Sequence, residues 1–276
     1  MGKLDGKVAL VSGSGRGIGA EIARKLAADG ARIVVNDLDA DPAEATVAAI
    51  RAAGGSAVAC VGNVTADGFA ERFVDTAVSS FGGLDIIVNN AGYTWDAVIQ
   101  KLSDEQWDAM LDVHLRAPFR ILRAAQPHIS SAAKRERAGG LSASCRKVVN
   151  ISSLAGLGGN AGQVNYAAAK AGVVGLTRAL AKEWGRYNVT VNTVAFGLIR
   201  TRLTETPSGG GGSIDVDGRR IAVGVNPEIL AAAERSIPLG RAGTPAEAAG
   251  SVYLLCIPES DYVSGQTLVC GGGLAM

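Results

Sequence analysis

Tyr166 and Lys170 stand four residues apart in NYAAAK, a spacing that puts both side chains on one face of any helix carrying them. A phenol of pKa near 10 is only about one part in a thousand ionised at neutral pH, and a neighbouring ammonium lowers that value. The pair can therefore give and take a proton at a carbonyl or hydroxyl oxygen. A second chemical signal is SGSGRGIG at 12–19, whose Gly13, Gly17 and Gly19 allow backbone amides to approach a pyrophosphate at a helix amino end. Asp37 follows twenty residues after Gly17, where a carboxylate accepts hydrogen bonds from both hydroxyls of a ribose. Alone, either signal is weak, since a Tyr–Lys pair is often mere surface and a glycine loop often a packing turn. Together they point to a dinucleotide site with a group able to exchange a proton nearby.

Elements suited to positioning these groups recur along the chain. Apolar runs at 8–12, 32–36, 57–61, 85–89, 147–151, 189–195 and 266–270 predict seven strands. Between them, apolar residues at three- and four-residue spacing, such as Ile18, Ile22 and Leu26, predict helices. Because the strands are continuously apolar, both faces must be covered. That predicts an α/β fold: a doubly wound parallel sheet of Rossmann type, binding its ligand at the carboxyl ends of the strands.

Two stretches interrupt the rhythm. Residues 130–146 are expected as a loop on the amino-end face of the sheet, with Lys134, Arg135 and Arg137 solvated. Residues 202–238 follow the sixth strand on the ligand face and are expected to form an enlarged substrate lid within a single domain spanning 1–276. That lid holds four glycines at 209–212 and two β-prone runs around Asp217-Gly218, a hairpin turn pair.

Composition narrows the function classes. With 27 basic and 26 acidic residues the net charge is +1, so no global field favours nucleic acid or an anionic membrane. No apolar run approaches a membrane span and MGKLDGK is not a signal peptide, so the chain is expected in the cytoplasm. Cys60, Cys145, Cys256 and Cys270 lack metal-ligand spacing, and no metal is expected. The 37 glycines are nearly twice the usual share of ~7%, without the period or the proline of collagen.

The order of motifs resembles the short-chain dehydrogenase/reductase family. GxxxGxG at 13–19 is followed by Asn89-Asn90-Ala91-Gly92, Ile151-Ser152-Ser153 and Tyr166-Ala167-Ala168-Ala169-Lys170. Segments 103–111 and 159–183 and the ending YVSGQTL most resemble 3-oxoacyl-acyl-carrier-protein reductases. The resemblance covers roughly residues 5 to 273. It implies an oxidoreductase moving hydride between a nicotinamide cofactor and a ketone or secondary alcohol, such as a 3-oxoacyl or 3-hydroxyacyl thioester. A terpenoid, steroid or sugar-derived alcohol is the alternative substrate, and a non-catalytic dinucleotide-binding regulator the alternative class.

By the same resemblance Ser153 binds the substrate oxygen, Tyr166 is the acid–base, and Lys170 also holds the nicotinamide ribose. His114 stands where the family usually has an asparagine that relays protons to the lysine, and either relays them here or only shapes its helix. Gly13, Arg16, Gly17, Ile18, Gly19, Asp37, Asn63, Val64, Asn90, Gly92, Ile199 and Thr201 are expected to contact the cofactor. Phe196-Gly197 replaces the usual Pro-Gly. Relatives form tetramers through the helices after the fourth and fifth strands, so a homotetramer is expected.

Charge argues for NAD over NADP. An added phosphate would meet Asp37, with Asp39 and Asp41 nearby. Two like charges ~5 Å apart cost about 3 kcal/mol at an effective dielectric of ~20, or two decades in affinity. Arg16 argues the other way, as a basic residue in the glycine loop.

Overall fold

The computed structural model describes residues 2–202, 204, 212–216, 218–224 and 227–274. All seven expected strands are present: β1 (Val8–Val11), β2 (Arg32–Val35), β3 (Ser56–Ala59), β4 (Ile86–Asn89), β5 (Arg146–Ser153), β6 (Val189–Phe196) and, last in the chain, β9 (Thr267–Cys270). They form one parallel sheet in the order β3-β2-β1-β4-β5-β6-β9. The chain winds outward from β1 to β3 and then restarts on the other side at β4. This reversal opens a crevice beyond the carboxyl ends of β1 and β4, the place where such sheets bind ligands.

Successive strand side chains point to opposite faces, which explains why continuous apolar runs were needed. Ala9, Val11, Ile33 and Val35 face one core with α1 (Gly17–Ala28), α2 (Ala40–Ala52) and α9 (Pro245–Leu254). Val8, Leu10, Val34 and Ile87 face the other, with Phe69 and Phe73 of α3 (Phe69–Phe81), Met110 of α4 (Asp104–Leu111), Ile121 of α5 (Ala117–Ala138) and Trp184 of α7 (Val164–Trp184). A short α6 (Ala155–Gly158) sits between β5 and α7. No helix among the described residues is long and apolar enough to cross a membrane.

The stretch 130–146 departs from expectation in its first half. Helix α5 continues to Ala138 before stopping at Gly139. Ala132 and Ala133 favour helix and no breaker intervenes before Gly139. Arg135 and Arg137 lie in its last turn, where cations complement the helix dipole. Lys134, Arg135 and Arg137 are exposed, as expected of a solvated face. Past the helix the segment is pinned by Glu136, which accepts from the Arg146 guanidinium at 2.6 Å and from the Ser144 amide at 2.8 Å.

Beyond β6, strands β7 (Gly212–Val216) and β8 (Arg219–Val223) pair antiparallel, with Val216 opposite Arg219 across a two-residue turn. This is the expected hairpin, and α8 (Pro227–Ser236) follows it. Residues 209–211 of the glycine run and Asp217 of the turn lie outside the described residues.

Candidate active site

The glycine loop crosses from β1 into α1 at the reversal. Gly13 and Gly17 have φ of +62° and +54°, a region that L side chains disfavour. A Cβ on Gly19 would fall 2.0 Å from the Gly13 carbonyl oxygen, and one on Gly15 2.6 Å from an Asp37 carboxylate oxygen. These positions form a cradle of bare backbone at a helix amino end, and it fits a dinucleotide pyrophosphate.

Polar side chains brace this cradle. Asn36 accepts from the Gly13 amide at 3.1 Å and donates to the Cys60 and Gly62 carbonyls, each at 3.0 Å. It thereby ties the loops after β1 and β3 together. Thr46 donates to the Gly15 carbonyl at 3.1 Å, and Ser12 Oγ accepts from the amides of Asn90 and Ala91. The sequence reading missed Asn36, Thr46 and Ser12; only the position of Asn36 beside Asp37 signalled any of them.

Asn90 donates its amide to the carbonyls of Ser12 and Gly13, both at 3.0 Å, so its side chain supports the glycine loop. Asn63 accepts from the amide and hydroxyl of Thr65, shaping the turn beside buried Val64. Ile18 packs against the α1 core. On the far side of the crevice, Ile199 is buried and bridges to Gly243. The Thr201 methyl lies 3.9 Å from where a Gly17 Cβ would stand, which brings the loop after β6 against the glycine loop. At the substituted Phe196-Gly197, Gly197 allows a close approach: a Cβ there would come 2.9 Å from the Gly271 backbone.

The acidic end of β2 holds its cation internally. Arg16 lies 2.9 Å from Asp39 and 4.0 Å from Asp37. Asp37, whose side chain is 13% exposed, is turned against the loop at Gly15.

Ser153, Tyr166, Lys170 and His114 converge at the carboxyl edge of β5. Ser153 is the last residue of β5; its hydroxyl accepts from the Ala155 amide at 3.2 Å and is close enough to the Tyr166 phenol to favour the phenolate. Neighbouring Ser152 spends its hydroxyl on the Lys170 carbonyl at 2.8 Å, away from the phenol. The Lys170 ammonium donates to the Ile151 carbonyl at 2.7 Å and lies 5.6 Å from the Tyr166 ring centroid. Close packing of α6 on α7 requires Gly156, where a Cβ would sit 2.6 Å from that of Lys170.

Helix α7 is set in register by Asn165, which donates to the carbonyls of Trp95 and Gln106. Asp96 accepts from Gln163 at 2.7 Å beside them, and burial pushes its carboxyl up.

His114 lies in a π-helical turn, Asp112–Arg116, between α4 and α5, a distortion that recurs at functional sites. Its Nε2 donates to the Tyr93 carbonyl at 2.7 Å, which fixes Nδ1 as the bare acceptor. Nδ1 is buried and finds no partner among the described residues. The ring meets Tyr166 edge to face, with centroids 5.0 Å apart. Burial, then the charge of Lys170, holds the imidazole well below its ordinary pKa and therefore neutral. Gly92, expected at the cofactor, is required by this ring: a Cβ there would lie 2.2 Å from His114 Cε1.

One electrostatic expectation is overturned. The Tyr166 phenol is not lowered by its neighbour; burial pushes it up to about 12, against the lowering hydrogen bond from Ser153. Burial also brings Lys170 from 10.5 down to about 7, so at neutral pH much of its charge is gone. Two groups placed in one dry crevice both favour their neutral forms.

A stability consequence follows for Lys170. Its folded pKa of about 7 lies below the unfolded value of 10.5, so between them the unfolded chain binds more protons and stability rises with pH. Lys170→Met is expected to raise the thermal midpoint most at neutral pH, with the gain shrinking as pH climbs. Unfolding scans across that range check it, and a pH-independent gain would contradict it.

Comparison with known proteins agrees with this geometry. The sequence profile of the family described as Enoyl-(Acyl carrier protein) reductase matches residues 13–275. The chain is 37% identical to a 3-oxoacyl-acyl-carrier-protein reductase of Synechocystis sp., across 100% of both chains. It is 38% identical to the short-chain reductase protein NovJ of Streptomyces niveus, covering 96% of this chain and 93% of that one. Among solved structures, a short-chain dehydrogenase/reductase of Serratia marcescens superposes with a TM-score of 0.83 at 30% identity, covering 99% of this chain and 100% of that one. Fold, cradle and likenesses define a nicotinamide-dependent oxidoreductase of Rossmann type. The chain belongs to the short-chain dehydrogenase/reductase family.

Proposed function

We propose that the protein reduces the ketone of a 3-oxoacyl thioester to the 3-hydroxyacyl form, with NADH as the preferred cofactor. The observation that carries this reading is the convergence of Ser153, Tyr166 and Lys170, with the Lys170 nitrogen 5.6 Å from the Tyr166 ring centroid, at the carboxyl edge next to the glycine cradle. The full-length likeness to 3-oxoacyl-acyl-carrier-protein reductases supports the substrate class.

Gly13, Gly17 and Gly19 would hold the pyrophosphate and Asp37 the adenosine ribose. Ile18, Asn63, Val64 and Asn90 would flank the adenosine half; Ile199, Thr201 and Lys170 the nicotinamide half. When bound, the cofactor supplies or accepts the hydride. Ser153 fixes the substrate oxygen by hydrogen bonding. With a pKa of about 12 the phenol of Tyr166 is protonated at neutral pH, so it serves as the acid, giving its proton to that oxygen as the carbonyl carbon is reduced. Lys170, near 7, is poised to re-protonate it.

His114 completes the relay in this reading, its Nδ1 lone pair accepting the hydrogen bond through which protons reach Lys170. His114→Ala is expected to lower kcat and alter the pH profile with little change in KM for NADH. Unchanged kinetics would remove His114 from the machinery.

Residues 202–238 act as the substrate lid of a single domain. The exposed Phe119 on α5 supports a homotetramer joined through that helix. The test of the activity is a panel of 3-oxoacyl thioesters and cyclic and branched ketones, followed by NADH oxidation. Thioesters are expected to be the better substrates, and turnover confined to the other ketones would overturn the assignment.

A further inference from the structure

We infer that the inner face of the β7–β8 hairpin is the roof of an acyl-chain pocket, held over the site by an ion pair to α4. The inference rests on the thioester reading above and assigns the residues that select acyl length. In an antiparallel pair, directly opposed residues share a face, and so do residues two apart. Ile214 opposes Ile221 and Val216 opposes Arg219, so Ile214, Val216, Ile221 and Arg219 all lie on one side of the ribbon. The other side is polar, carrying Ser213, Asp215 and Arg220, with Arg220 donating to Ser213 at 3.0 Å. The ribbon is thus amphipathic.

Its apolar side faces inward. Ile221 is 1% exposed yet belongs to neither of the two cores that flank the sheet. Arg219, on that same side, places Nε 2.8 Å from the Glu105 carboxylate in the first turn of α4. The next residue, Gln106, offers its carbonyl to Asn165, which directly precedes Tyr166. The hairpin leaves the sheet beyond the carboxyl end of β6, and its inner face reaches across to the wall that holds the acid–base. Branched aliphatic side chains over that approach suit an unbranched apolar chain extending from the reacting ketone. The Arg219–Glu105 pair is about half exposed, so it is a weak and reversible fastening.

The test compares kcat/KM for 3-oxooctanoyl and acetoacetyl thioesters of N-acetylcysteamine, with NADH. The wild-type chain is expected to favour the longer substrate. Ile221→Ala should cut the ratio of the two values about tenfold, the scale of a lost methylene contact in an apolar pocket. Arg219→Glu should cut it roughly two- to fivefold, as an exposed ion pair allows, and adding Glu105→Arg should restore it. Arg219→Glu leaves the buried position intact, so it stands as the test if Ile221→Ala does not fold. Ratios unchanged in folded variants of a chain that reduces both thioesters would overturn the roof alone. Turnover of neither thioester by the unaltered chain would refute the proposed function from which the roof follows.

Discussion

Tyr166→Phe is expected to lower kcat by roughly two to four decades, the usual contribution of a positioned general acid, with a much smaller change in KM. The ring stays, so its edge-to-face packing on His114 is kept. What is lost is the hydroxyl, which burial keeps protonated at neutral pH. Ser153 can still polarise a carbonyl by hydrogen bonding, but the proton that Tyr166 would give is missing. A Phe variant with wild-type turnover would remove Tyr166 from the chemistry, and with it the reason for the Lys170 placement.

The second large effect concerns cofactor choice. Asp37→Ser is expected to raise kcat/KM for NADPH about a hundredfold, from the roughly 3 kcal/mol of repulsion between an added phosphate and a carboxylate ~5 Å away. The arrangement at the end of β2 argues for this magnitude. Arg16 could have welcomed that phosphate, but its guanidinium is 2.9 Å from Asp39, while Asp37 is turned against the loop at Gly15. Asp37→Ser with Asp39→Ser should go further, because it also frees Arg16. Steady-state kinetics with both cofactors check the series. A tenfold or greater preference for NADPH in the unaltered chain would contradict the reading of Asp37.

Much of the fold was legible because its signals are local. Seven continuous apolar runs became seven parallel strands, buried in the middle of the sheet and partly exposed at its edges β3 and β9, and residues 12–19 became a strand-to-helix loop, since strand burial and glycine conformations are written in adjacent residues. Tyr166 and Lys170 met because a helix fixes their spacing. What escaped depends on contacts between distant segments. Asn36 binds three backbone groups from two loops, and backbone partners leave no mark on composition. Gly92, read as part of a cofactor motif, also meets a packing need beside His114 that its neighbours in sequence do not announce. The upward shift of Tyr166 could not be read from the Lys170 spacing, because it comes from burial by the whole crevice, with the charge of Asp96 adding to it. The continuation of α5 to Ala138 was obscured by its basic residues, which suggested a solvated loop but equally suit the end of a helix.

The most direct measurement follows the hydride itself. NADH carrying deuterium at both positions of its transferable carbon, incubated with the protein and a 3-oxoacyl thioester in ordinary water, should yield a 3-hydroxyacyl product with one deuterium on the carbon that bore the ketone. Mass spectrometry of that product, alongside the Tyr166→Phe variant, reads both halves of the transfer. Product without deuterium, or no product while NADH is bound, would contradict the account.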